Sequence, residues 1–288
     1  MHTDIRWGVS PAYHISRYSD RFRAEDVAAS LPDLVSLGFS AFQLEVFHPE
    51  TLDDWAKKGI YVVANMAEKT GIFPSQFVGH FLLHGFSSAE ALESDFGISE
   101  IKTCAALLKS FPNCGVITAA LPAFAVPSRT VDAAAYQKLW KRFIEKIKKM
   151  AAIAQEADKQ LALEIMPGSI LGGLQGFVRL IESVGSPNLG YNFDTGHAWA
   201  CREVVELIPA LLGNRIFGAH LKDNCQTENF SLAPGRGTIP WDALIKNLYL
   251  SGYRGSWDIE IKCERESVGI EYAEGLSFLQ KKINSVIC

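Results

Sequence analysis

The sequence predicts a closed (β/α)8 barrel, from the order, number and length of its units. The 288 residues contain eight short apolar runs, and helical patterns alternate with them from one end of the chain to the other. The runs are rich in β-branched and aromatic residues, as expected for parallel strands that are covered on both faces. Eight units average about 36 residues, and no linker interrupts them, so we expect one domain over residues 1–288.

The predicted strands are spaced regularly along the chain. They are IRWGVS from Ile5, AFQLEVF from Ala41, QFVGHFLL from Gln76, CGVITAAL from Cys114, QLALEIM from Gln160, NLGYNFD from Asn188, RIFGAHL from Arg215 and SWDIEI from Ser256. An open, doubly wound sheet is the alternative arrangement. The first strand is not followed by Gly-x-Gly-x-x-Gly, and the chain has no P-loop, so the sequence favours the barrel.

The clearest helical pattern runs from Ala134 to Ala157, where apolar residues recur at three- and four-residue steps. Weaker patterns cover Ala24–Leu37, Leu52–Gly71, Ala105–Phe111, Phe177–Val184, Arg202–Leu212 and Ile270–Ile283. Pro32 falls inside the first of these, which predicts either a kink or a later helix start. Gly38 suits the end of the same helix.

Composition and charge exclude several classes of protein. Hydrophobic residues make up 48% of the chain, charged residues 21%, and the net charge is −4, which gives no basic surface for nucleic acid or anionic lipid. No apolar run has the length of a membrane span, and the N-terminus lacks a signal-peptide pattern. Six scattered cysteines without a Cys-x-x-Cys pair indicate reduced thiols. We therefore expect a cytoplasmic protein.

Polar residues stand near the ends of four consecutive predicted strands, namely Glu164, Asp194, His220 and Glu260. In a (β/α)8 barrel the carboxyl ends of the strands carry the active site. Three converging carboxylates would repel one another unless a cation lay between them. Oxygen donors with one imidazole suit Mn²⁺, Mg²⁺ or Co²⁺. Each residue alone could be an ordinary strand-end or core residue, but the four together predict a divalent metal site.

The ordered motifs ALEIM, NFDTGHAWA, GAHLKDN, APGRGTIPW and WDIEI resemble those of the xylose-isomerase-like TIM-barrel superfamily. This group contains sugar phosphate isomerases and epimerases, family 2 AP endonucleases such as endonuclease IV, and inosose dehydratase. The resemblance covers the whole chain by unit order, and its specific motifs lie between Glu164 and Glu260. It implies one divalent cation per chain, held by Glu164, Asp194, His220 and Glu260. Mn²⁺ is the expected ion, with Mg²⁺, Co²⁺ and Zn²⁺ as alternatives.

The resemblance also implies a reaction on a sugar or a sugar derivative. In the ketose 3-epimerases of the group, the first and last glutamates exchange the proton beside a carbonyl through a metal-stabilised enediolate, which assigns these catalytic roles to Glu164 and Glu260. The candidate substrate-binding residues are His197, Arg236, Lys222 and His84. Arg236 could equally face solvent, and for His84 local hydrogen bonding is the favoured role. The expected activity is that of a metal-dependent isomerase or epimerase.

The chain departs from two relatives in this group. Endonuclease IV needs an Asp-x-His pair after the seventh strand, where this chain has GRGTIPW, so we do not expect a nucleic-acid substrate. The ketose 3-epimerases carry a second glutamate at the position of Ile170, so the substrate is expected to differ from a free ketohexose. A metal-dependent lyase that dehydrates a keto-polyol or cleaves a keto-glycoside is the alternative enzyme. A sugar-binding barrel without catalysis ranks below both, and a homo-oligomer is left open.

Overall fold

Eight parallel strands close into a barrel in the computed structural model, which describes residues 5–125, 132–226 and 228–287. The strands are β1 (Trp7–Val9), β2 (Ala41–Val46), β3 (Phe73–Gly79), β4 (Val116–Leu121), β5 (Gln160–Ile165), β6 (Leu189–Asp194), β7 (Ile216–Leu221) and β8 (Trp257–Ile259). Each strand pairs with the next along the chain, and β8 pairs with β1 in parallel. The predicted (β/α)8 barrel is confirmed.

The helices lie between the strands in sequence. They are α1 (Ala12–Tyr18), α2 (Ala24–Ser36), α3 (Leu52–Asp54), α4 (Ile60–Thr70), α5 (Ala89–Glu93), α6 (Ile98–Leu107), α7 (Ala133–Glu156), α8 (Leu174–Val184), α9 (Thr195–Ala200), α10 (Ile208–Leu212), α11 (Trp241–Leu250) and α12 (Val268–Ile287). Their apolar faces are buried; Phe143 and Ile147 of α7 and Phe177 of α8, for example, have no exposed surface. Burial of these faces provides the main stabilisation of the layers. Within the described ranges, no helix combines the length and the apolar character that a bilayer span requires.

The third strand differs most from its prediction. It begins at Phe73, three residues before the predicted run, and it ends at Gly79. The following residues, His80–Gly85, form a 3-10 helix instead of continuing the strand. A β-carbon at Gly79 would lie 2.7 Å from the Leu82 side chain, so any other residue here would force Leu82 to move. This turn carries His80 to the carboxyl-end rim of the barrel.

Two helical predictions also need correction. A π-helical turn at Trp55–Gly59 separates α3 from α4 within the predicted Leu52–Gly71 helix. In the predicted Arg202–Leu212 segment, the α-helix is confined to α10, while the preceding motif forms α9 directly after β6. Asp194 explains that early start, because its side chain accepts a hydrogen bond from the backbone N–H of His197 and caps the helix. By contrast, α2 starts at Ala24 and continues through Pro32.

Candidate metal centre

Four side chains from four consecutive strands meet at the carboxyl end of the barrel. They are Glu164 on β5, Asp194 on β6, His220 on β7 and Glu260 directly after β8, and one ligand atom from each lies within 4.8 Å of the others. Atoms bound to one cation at about 2.0–2.4 Å lie within a similar span of one another. The structure therefore brings together the four residues that the sequence predicted as metal ligands.

The imidazole of His220 lies at the centre of this group. Its Nδ1 atom is 2.8 Å from Glu164 Oε1, 2.9 Å from Glu260 Oε2 and 3.7 Å from Asp194 Oδ2. A single ring nitrogen carries at most one hydrogen and cannot bind three carboxylate oxygens. A cation between these atoms would satisfy all of them, so the arrangement fits a metal site better than a set of ion pairs.

Two carboxylates divide their oxygens between the protein and the metal position. Asp194 Oδ1 accepts the hydrogen bond from His197 N at 2.7 Å, while the buried Oδ2 faces the other ligand atoms and lies 2.8 Å from Lys222 Nζ. Lys222 Nζ approaches Glu260 Oε1 at 2.6 Å and leaves Oε2 facing His220. The atoms available to a cation are therefore Asp194 Oδ2 and Glu260 Oε2, with Glu164 Oε1 and His220 Nδ1. Chemically, three oxygens and one imidazole nitrogen fit a divalent cation.

A glutamine below the site determines which nitrogen of His220 faces the ligands. His220 Nε2 lies 2.9 Å from Gln43 Oε1, and Gln43 Nε2 donates to Asp258 Oδ2 at 2.7 Å. The bond to the Asp258 carboxylate requires the amino group of the amide, which leaves the amide oxygen for His220. When the imidazole is neutral, an N–H at Nε2 places the lone pair on Nδ1, which is the state that a metal requires.

The charges in the group compensate one another. Burial lowers the pKa of Lys222, but the carboxylates of Asp194 and Glu260 raise it above the ordinary value. Burial also lowers the pKa of His220, but Glu164 and Glu260 raise it well above its usual range. For Asp194 and Glu260, burial raises the pKa, but the neighbouring histidines and Lys222 hold both values low. Without a metal, the carboxylates are thus balanced by Lys222 and His220.

The barrel interior beneath the site is polar, although the apolar strand patterns predict an apolar interior. Gln76 donates to Asn192 Oδ1 at 3.1 Å, and Ser75 and Ser256 donate to Asp258 at 2.9 and 2.6 Å. A β-carbon at Gly218 would lie 2.3 Å from Asn192 Oδ1, so this glycine leaves room for the network. One feature of the sequence indicates this polar interior, because Gln43 interrupts an apolar strand two residues before Glu45, on the same face of the strand.

The predicted substrate-binding residues lie in different surroundings. His197 Nε2 is 3.4 Å from Lys222 Nζ and 3.6 Å from Asp194 Oδ2, so both His197 and Lys222 lie beside the metal ligands. The structure pairs the Arg236 guanidinium with Glu271 and Glu274 of α12 at 2.6 and 2.5 Å. His84 is exposed and packs edge-on against Phe96. His197 and Lys222 thus lie at the site, whereas Arg236 and His84 make other contacts.

Comparison with known families identifies the family of the chain. The family model described as xylose isomerase-like TIM barrel matches residues 31–282. The chain belongs to this family. Among curated relatives, the uncharacterised protein MJ1311 of Methanocaldococcus jannaschii is 28% identical over 144 residues, which cover 46% of this chain and 49% of the relative. This match spans about half of the relative's length.

Two solved structures share the barrel fold over almost the whole chain. The IolI protein with a bound zinc atom is 16% identical, covers 98% of both chains and has a TM-score of 0.74. The D-allulose 3-epimerase from Methylomonas sp., in complex with D-allulose, is 12% identical, covers 96% of this chain and 97% of its own, and has a TM-score of 0.75. At these identities, the similarity establishes the fold.

Proposed function

We propose that the protein is a divalent-metal-dependent epimerase or isomerase that moves a proton next to the carbonyl of a sugar or sugar derivative. The observation that carries this proposal is the meeting of Glu164, Asp194, His220 and Glu260 at the active end of the barrel. The zinc atom in the IolI protein and the D-allulose in the Methylomonas epimerase support it, because both proteins have this fold. Mn²⁺ is the proposed ion.

Glu164 and Glu260 are the proposed proton-transfer groups. Glu164 lies on β5 and Glu260 directly after β8, so their carboxylates reach the axis from different sides of the barrel. One carboxylate could take the proton from one face of a carbon, and the other could return a proton to the opposite face. A divalent cation, when bound, supplies a Lewis acid that increases the acidity of a C–H group beside a carbonyl.

Lys222 and His197 are proposed to hold the oxygens of the substrate. The Lys222 ammonium is buried beside Glu260, where it stabilises negative charge better than it would in water. A β-carbon at Gly196 would lie 2.6 Å from Lys222 Cγ, so glycine in the DTGH motif lets this lysine pack against α9. Since His197 Nε2 faces Asp194 and Lys222, we place its imidazole at a substrate oxygen.

The proposed activity is tested with Mn²⁺-loaded protein in D₂O and a panel of free ketoses, ketose phosphates and 3-keto-glycosides. We expect an epimer or isomer that carries deuterium at the carbon next to the carbonyl, seen by NMR. Because proton transfer by a positioned carboxylate contributes about 10²–10⁴-fold, Glu164→Gln and Glu260→Gln should lose at least about 100-fold in rate. Glu68→Gln, an exposed change on α4, is the matched control.

The same reaction mixtures separate the alternatives. Loss of water or of an aglycone, without a recovered isomer, would identify a lyase. A ligand that binds without any exchange of hydrogen would identify a sugar-binding barrel. Unchanged sugars throughout the panel, with metal bound to the protein, would contradict the proposed activity.

A further inference from the structure

A fifth acidic side chain reaches the active end of the barrel, on the side of β2. Glu45 is only 3% exposed, and its Oε2 atom has no hydrogen-bond partner among the described residues. Its Oε1 atom lies 4.0 Å from His80 Nδ1, which is too long for a hydrogen bond. Such an atom is costly to bury without a donor, so a donor from outside the described protein is expected to reach it.

The strand geometry aims Glu45 at the metal centre. Gln43 points into the barrel, because its side chain meets His220 and Asp258. Side chains two residues apart on a strand share a face, so Glu45 points inward as well, one layer nearer the carboxyl end. Accordingly, Glu260 and Glu164 are the acidic groups whose charges act on Glu45.

An aromatic pair borders this carboxylate. Val46 pairs with Gly79 in the β2–β3 register, which brings the next residues, Phe47 and His80, together at the rim. Their rings stack with centroids 4.1 Å apart and planes 13° apart. Both side chains are half-buried. The stack therefore borders Glu45 with the apolar ring of Phe47 and the polar ring edge of His80.

The charge balance indicates what Glu45 could bind. The described His, Cys, Asp and Glu residues that could hold a metal do not include Glu45. A divalent cation and the Lys222 ammonium would balance the three ligand carboxylates, so this side offers no net positive charge to a phosphate or carboxylate. A hydroxyl group, in contrast, donates a hydrogen bond to a carboxylate oxygen without bringing charge.

We propose that Glu45, Phe47 and His80 form a hydroxyl subsite, which binds the uncharged polyol end of the substrate opposite the β6 and β7 side of the metal centre. This inference rests on the proposed function and specifies its substrate class as an unphosphorylated sugar. Glu45 accepts one substrate hydroxyl, the His80 imidazole faces a second oxygen, and Phe47 supports the His80 ring.

The test uses D-allulose and its single-deoxy analogues as unphosphorylated polyol probes, not as the expected substrate, and compares their binding to Mn²⁺-loaded wild-type, Glu45→Leu and Glu68→Gln proteins. We expect Glu45→Leu to weaken D-allulose binding about 10- to 100-fold. One deoxy analogue, which lacks the hydroxyl that Glu45 binds, should bind the wild type as weakly as D-allulose binds Glu45→Leu. Glu45→Leu should bind this analogue and D-allulose with equal affinity. Glu68→Gln should bind every probe as the wild type does.

Two further readouts on the same proteins do not depend on the sugar. Glu45→Leu should keep one Mn²⁺ per chain, and its metal-free form should unfold at a higher urea concentration than the wild type, because a buried unpaired carboxylate is gone. Loss of Mn²⁺ from Glu45→Leu would overturn the inference, since Glu45 would then be a ligand of the metal.

The sugar results separate the inference from the function on which it rests. Equal D-allulose binding by wild type and Glu45→Leu, or tighter binding of D-fructose 6-phosphate than of any free ketose, would overturn the subsite and leave the proposed activity intact. A wild-type protein that holds Mn²⁺ but binds no sugar of the panel would overturn both.

Discussion

Single residues set the chemistry of the barrel's active end. Asp194 caps α9 with one oxygen and presents the other to the metal position, and Glu260 divides its oxygens between Lys222 and the same position. Gln43, held by Asp258, fixes the tautomer of His220. The meeting of the four candidate ligands could be predicted from the sequence, because charged residues in apolar strands are conspicuous. The role of Gln43 could not, because its partners come from strands that are distant along the chain.

Replacement of Gln43 tests the tautomer assignment. In Gln43→Leu, His220 Nε2 loses its acceptor, and the imidazole is free to turn or to carry its hydrogen on Nδ1. We expect Mn²⁺ affinity to fall about 10- to 100-fold, as for other groups that orient metal ligands. Calorimetric titration measures the affinity, urea unfolding checks the fold, and the exposed Gln175→Leu serves as control. Unchanged affinity in Gln43→Leu would show that His220 needs no such support.

His14 makes stability depend on pH at a site away from the metal ligands. Burial, with a smaller contribution from Arg17, lowers the pKa of His14 to about 3, and its Nε2 meets Ser30 Oγ at 2.9 Å. The unfolded chain has a pKa near 6.5 and therefore binds more protons than the folded chain below that pH. This stabilising contribution is complete above about pH 6.5 and is lost as the pH falls towards 3.

The predicted loss for His14 is about 2 kcal/mol in the free energy of unfolding between pH 8 and pH 5. Urea unfolding at both values measures it. His14→Gln can bond to Ser30 but does not titrate, so its stability should fall by about 2 kcal/mol less over the same interval. An identical decrease in both proteins would exclude His14 as the source.

At the scale of elements, the loop between β7 and α11 depends on one buried carboxylate. Asp223 accepts hydrogen bonds from the backbone N–H groups of Asn224, Gly235 and Ile239 and from Trp241 Nε1, at 2.8–3.1 Å. Arg236 of the motif APGRGTIPW was a candidate for substrate binding or for solvent exposure, and the structure pairs it with Glu271 and Glu274 of α12. The sequence pattern predicts a loop, but it does not predict which residues the arginine of the loop contacts.

Removal of that carboxylate should loosen the loop. Asp223→Ala leaves several buried donors without an acceptor, so we expect a loss of roughly 3 kcal/mol in the free energy of unfolding. Asp242→Ala, an exposed change in the same region, should stay within about 0.5 kcal/mol. Urea unfolding compares the two. A loss below about 1 kcal/mol for Asp223→Ala would contradict the role given to this residue.

At the scale of the whole molecule, regular alternation of apolar strands and amphipathic helices was sufficient to predict the fold. Strand positions were predicted well because a buried parallel strand needs an unbroken apolar run. Helix boundaries were predicted less well where a cap or a close contact decides them, as at Asp194 and Gly79. The polar barrel interior also escaped prediction, since its side chains are satisfied only by residues on other strands.

The most direct measurement for this account is a calorimetric titration of Mn²⁺ into metal-stripped protein, for wild type, Glu260→Gln and Glu68→Gln. We predict one ion per chain in the wild type and in Glu68→Gln. Because Glu260 Oε2 faces His220 among the proposed ligands, binding should weaken at least about 10-fold in Glu260→Gln. Absence of binding in the wild type, or equal affinity in all three proteins, would contradict a metal centre at Glu164, Asp194, His220 and Glu260.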